Sequence, residues 1–155
     1  DQGEVDRARD GAAECSVPAD EIEGRRKDTE SRETGHSECR VAQTVAKATM
    51  EATCNLYHTL AMNQNVPSCL PTYDPTPEHH EFDTMHACLE KMVEWSVPFL
   101  KDLTAKRDAC NAATKQYHEK VEQCGAAQST YEMAFCSYRE KLTGACSAYT
   151  TCRTT

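Results

Sequence analysis

The sequence predicts an all-α fold: an elongated antiparallel bundle of three to four long helices stapled by disulfides. Three observations carry this. Apolar residues recur at spacings of three and four over most of the chain, which is helical periodicity. β-branched residues do not cluster, and no segment alternates cleanly with period two, as a strand would. Ten cysteines stand at Cys15, Cys39, Cys54, Cys69, Cys88, Cys110, Cys124, Cys136, Cys146 and Cys152, an even number spread along 155 residues.

The N-terminal part has different physics. Residues 1–38 hold twelve acids against six bases and contain no aromatic, leucine or methionine. Such a stretch buries too little apolar surface to offset its ordering entropy. Residues 1–36 therefore read as a polar acidic arm, and 37–155 as a disulfide-stapled helical domain. Within the arm, Ser16 caps a possible short helix with acids in its first turn. Cys15 is positioned to tie the arm to the body.

The first long helix is expected at about 37–62. Ser37 serves as its N-cap. Val41, Val45, Ala48, Ala52 and Leu56 form an apolar stripe, with Met50, Cys54, Tyr57 and Ala61 beside it. Asn63-Gln64-Asn65-Val66-Pro67 ends it. Pro67, Pro71, Pro75 and Pro77 then make a stiff connection that contains Cys69.

Thr76-Pro77-Glu78 supplies a cap, a first-turn proline and an acid near the positive end of the helix dipole, so a second helix is expected from about 77. Phe82, Met85, Leu89, Met92, Phe99 and Leu103 make its inner row, continued by Cys110, Thr114, Tyr117, Val121 and Cys124. Pro98 removes a hydrogen bond and clashes one turn back, so helices of about 77–95 and 98–124 are expected, with one kinked rod as the alternative. Gly125 reads as a stop. A last helix at about 127–150 follows, with Tyr131, Phe135, Tyr138, Leu142, Ala145 and Tyr149 on a seven-residue seam.

No two cysteines are spaced Cys-x-x-Cys, so neither a zinc ribbon nor a thioredoxin-type motif is present. All ten are read as a disulfide framework formed in an oxidising compartment. Connectivity does not follow from sequence. A tight hairpin around the proline loop favours Cys54 with Cys88, and Cys110 is left open between Cys136 and Cys146.

Charge and composition exclude several functions. The net charge is -8, which argues against nucleic-acid binding through bulk positive charge. No apolar run approaches the ~18 residues of a membrane span. Secretion is expected, with a leader removed before Asp1. Asn55, Asn63, Asn65 and Asn111 do not form N-glycosylation sequons, whereas the threonine-rich end at 150–155 is a candidate for O-linked sugar, which makes glycans candidate partners.

No Gly-x-Ser-x-Gly, glycine-rich phosphate loop or calcium loop occurs, so the chain is read as no enzyme and as having no cofactor. On a helix, His79, Asp83, His86 and Glu90 share a face, which makes His79 and His86 weak metal candidates beside the plainer reading of a solvated face. Tyr131, Phe135 and Tyr138 are the candidate interface or ligand residues, since tyrosine suits a core, an interface or a pocket wall.

The segment Tyr131–Arg153 contains Phe-Cys-x-Tyr-x-x-x-Leu-x-x-x-Cys-x-x-Tyr-x-x-Cys from Phe135 to Cys152. It resembles cysteine-rich helical proteins of dinoflagellate algae, and Met50 to Asp74 resembles them more loosely. The resemblance implies a secreted, disulfide-linked helical module and supplies no catalytic residue. The expected function is a non-enzymatic structural or interaction subunit of an extracellular assembly, such as a filament, surface coat or flagellar appendage. Its partners would be other protein chains, like or unlike. The alternative is a secreted carrier for a lipid or other small apolar ligand. An enzyme or metal protein using the 79–90 face ranks third.

Overall fold

The computed structural model describes residues 2–5, 19–69 and 82–154. Ser16, Cys15, Thr76, His79 and His80 lie outside them. Among the described residues there is no strand, and only 63–69 are not helical. Two long helices stand where three to four were expected: α1, Ala19–Met62, and α2, Phe82–Thr154.

α1 starts 18 residues ahead of the expected cap at Ser37. The acidic stretch is helical because its charges alternate in sign at helical spacing. Glu21 pairs with Arg25, Glu23 with Arg26 and Lys27, Arg26 with Glu30, and Asp28 with Arg32. Each such pair stabilises a helix by about 0.2–0.5 kcal/mol. Asp20 and Glu21 also complement the dipole in the first turn. α1 ends at Met62, just ahead of the polar stop; the Asn63 amide donates to the Thr59 carbonyl at 3.1 Å and the Gln64 side chain to the Ala61 carbonyl at 2.7 Å.

α2 passes through both expected break points. Pro98 lies inside it. The cost of an interior proline is about 3 kcal/mol, and contacts across it oppose that cost: Trp95 and Phe99 stack with centroids 5.0 Å apart. Gly125 does not stop the helix either. A capping glycine takes a positive φ, and no described glycine does. Its neighbour Cys124 is fully buried and bonded to Cys39, which holds this turn in place.

The chain divides into two compact units, each taking a stretch of both helices. In Thr44–Glu119, Cys54 is bonded to Cys110 with Cα atoms 4.6 Å apart, and Cys69 to Cys88 at 5.6 Å. In the unit that joins Asp1–Gln43 to Lys120–Thr155, Cys39 is bonded to Cys124 at 5.4 Å. There, Glu21 meets Lys141, Arg25 meets Ser137 and Cys39 meets Cys124, so the two helices run antiparallel. Cys152 is also disulfide-bonded.

The expected pairing of Cys54 with Cys88 is replaced. Cys69 takes Cys88, and α1 meets α2 at Cys110, about six turns further along. Cys110 meets neither Cys136 nor Cys146, because no turn at Gly125 brings them back to it. Both of those carry free, exposed thiols.

The bridges also set which face of α1 points inward. Cys39, Gln43, Ala46, Met50, Cys54, Tyr57 and Ala61 form the half-buried row. The expected core stripe of Val41, Val45, Ala48, Ala52 and Leu56 is exposed. Leu89 on α2 is exposed too, whereas Met85, Met92, Phe99 and Leu103 are half-buried as expected. Buried side chains are few among the described residues: Cys88, Ala113, Cys124 and Thr29.

Candidate interaction surfaces

Tyr131, Phe135 and Tyr138 sit at i, i+4 and i+7 on α2, so one face carries all three. They line a shallow groove together with Arg26, Thr29, Glu30 and Glu33 of α1. Tyr131 and Tyr138 are half-buried and Phe135 is exposed. Tyr131 stacks on His36 with centroids 6.2 Å apart and planes 9° from parallel, and packs at a tilt against Phe135. These are ordinary offset aromatic geometries. Thr29 is buried beneath, its hydroxyl donating to the Arg25 carbonyl at 2.8 Å.

A polar net surrounds the aromatics. The Arg25 guanidinium donates to Ser137 Oγ at 2.6 Å and to Glu21 Oε1 at 3.0 Å. Lys141 reaches the same carboxylate at 3.3 Å. Arg25 and Lys141 together hold Glu21 below its ordinary pKa. Hydrogen bonding from Arg26, helped by its charge and that of Lys27, pulls Glu23 down to about 2. Hydrogen bonds and charge from Glu23, and from Glu30, raise Arg26. Arg40 donates to Gln128 at 2.5 Å and to Gln43 at 2.8 Å. These bonds brace the groove from both helices.

The seven-residue seam puts the three aromatics on one helix face, but it does not reveal their polar wall. The signal for that wall lies in the alternating acids and bases of 20–32, which pair at helical spacing.

A second kind of surface is apolar. On α2, Leu89, Val93, Val97 and Leu100 are between 50% and 64% exposed. Their spacings of four, four and three confine them to an arc of about 80°. His86, Leu89, Glu90, Val93 and Glu94 line an open groove along it. On α1, Val45 and Leu56 are likewise exposed. Monomeric proteins commonly scatter such residues singly; here four of them lie in one row.

His86 lies on this face, exposed, with Nδ1 3.5 Å from Glu90. His79, its expected companion, is outside the described residues. Among the described residues, no three His, Cys, Asp or Glu side chains are grouped to hold a metal, and no helix is long and apolar enough to cross a membrane.

No known protein family matches the chain, and no curated protein or solved structure is similar to it.

Proposed function

We propose that this protein is a structural or interaction subunit of an extracellular assembly, working through its surfaces and not through chemistry on a substrate. The observation that carries the reading is the outward-facing apolar row of α2 on helices whose rotation is fixed by sulfur. A helix that merely folds a monomer turns such a row toward its neighbour. Here Cys54–Cys110 fixes another face inward, and Leu89, Val93, Val97 and Leu100 remain available.

Two further features support it. Three disulfides among the described residues are compatible with an oxidising, extracellular setting. Covalent links also suit a subunit with little buried core, since they keep its surfaces in place when it is dilute or under load. The aromatic groove fits a protein partner better than an acyl chain, because Arg26, Glu30 and Glu33 line it beside the rings.

The test is the mass of the protein recovered under non-denaturing conditions from the exterior of its source cells. A species larger than one chain, containing like or unlike subunits, is expected. Recovery as a monomer alone, also after mild chemical cross-linking in place, would refute the reading.

A further inference from the structure

We infer that the row Leu89, Val93, Val97 and Leu100 is the seam of a two-fold, antiparallel contact with a second copy of the same chain. This rests on the assembly reading and narrows it to one occupant for one surface.

The argument is charge complementarity across a symmetry axis. The row occupies one side of α2, and Glu90 and Lys101 both project from the same flank of it, about 65° and 85° from its centre. When two identical helices pair antiparallel about a perpendicular two-fold axis, each flank faces the identical flank of the other copy. The register that places Val93 against Val97 of the second copy also brings Glu90 within one residue of the second copy's Lys101. Symmetry then produces the ion pair twice. A parallel pairing would instead set this flank against the opposite one, where Ser96 and Leu103 lie, and leave both charges without each other.

The residues are free for this. Lys101 makes no ion pair among the described residues, and Glu90 has only the exposed His86 at 3.5 Å. Lys101, Glu90 and the four apolar side chains are all exposed. An apolar seam flanked by complementary charges is how paired helices set orientation. The row spans 12 residues, about 18 Å of helix. A contact of that length falls below the area of a standard stable interface, so reversible association is expected rather than a permanent dimer.

Sedimentation equilibrium of the full, oxidised chain from about 10 to 500 µM tests this, a range that covers weak pairs. The expected result is a monomer–dimer equilibrium. Val93→Glu with Val97→Glu should weaken it at least tenfold; both side chains are exposed, and an unchanged circular dichroism spectrum and Tm confirm folding. Glu90→Lys and Lys101→Glu should each weaken it, and the two together should restore it. A monomer throughout the range overturns the self-contact, while the mass of native material still reports separately on assembly with unlike chains. A dimer that ignores both the valine and the charge-swap variants overturns the assignment of this row and leaves the assembly reading standing.

Discussion

Removing the bridge between Cys39 and Cys124 should cost more when the bridge between Cys54 and Cys110 is already gone. The two are nested: the outer spans 85 residues and the inner 56. With the inner bridge present, breaking the outer one releases an unfolded-state loop of only about 30 residues, worth about 3.6 kcal/mol by the chain-entropy relation. With the inner bridge replaced by alanines, and Cys69–Cys88 still shortening the path, the loop is about 65 residues and the cost about 4.3 kcal/mol. The folded-state packing that the outer bridge supplies is the same in both backgrounds, so the difference of about 0.7 kcal/mol is a coupling through the unfolded chain. The assay is urea denaturation of four oxidised proteins, followed by ellipticity at 222 nm: the wild type, Cys39→Ala/Cys124→Ala, Cys54→Ala/Cys110→Ala and the quadruple variant. Replacing both partners of a bridge avoids leaving an odd thiol beside Cys136 and Cys146. An outer-bridge cost below about 1 kcal/mol would refute the reasoning. So would a cost that is smaller in the absence of the inner bridge.

Three further outcomes are expected. Gly24, Gly35 and Gly144 are helical without a positive φ, and a Cβ would meet nothing within 4 Å at any of them; each Gly→Ala change should raise stability by about 0.5–1 kcal/mol, seen as a higher Tm, and a lower Tm at any site would contradict its helical environment. Glu21 and Glu23 have folded pKa values below their ordinary 4.5, so the stability they contribute is complete above that pH and is lost as the pH falls toward about 2; a Tm–pH profile should decline over this window, and Glu23→Gln should flatten it. Maleimide mapping of native, unreduced protein should label Cys136 and Cys146 and spare Cys39, Cys54, Cys69, Cys88, Cys110 and Cys124 until a reductant is added; labelling of Cys54 or Cys124 before reduction would break the assigned framework.

The helical class was legible because period is a property of every turn, and turn after turn agrees on it. The end of α1 was legible for a similar reason: Asn63 to Pro67 stops a helix with several signals at once. The breaks at Pro98 and Gly125 were misjudged because each rests on one residue, and a single unfavourable residue of about 1–3 kcal/mol is overruled by what packs beside it. Trp95 on Phe99 and the buried Cys124 are those neighbours. The charged stretch before Ser37 was misjudged because net charge discards order, and order is what places Glu23 beside Arg26 and Asp28 beside Arg32.

The rotation of α1 is the instructive miss, and the sequence held the means to avoid it. Hydrophobicity alone favours the valine row from Val41 to Leu56 as the inner face. The cysteines favour another. Cys39 and Cys54 are 15 residues apart, and Cys110 and Cys124 are 14 apart; both separations are about four turns, so each pair lies on one helix face. Matched four-turn spacings let each helix supply one cysteine to a bridge in each unit, and the structure shows both bridges, Cys39–Cys124 with Cα atoms 5.4 Å apart and Cys54–Cys110 with Cα atoms 4.6 Å apart. A bridge demands that Cα distance and admits no rotation of the helix, whereas turning a valine row outward costs only graded amounts of exposed surface. Sulfur therefore decides the inner face, and the apolar rows it turns outward become surface. In a chain of this kind, geometry among cysteines should be read before hydrophobic periodicity. The rows left outside are then where a partner is to be sought.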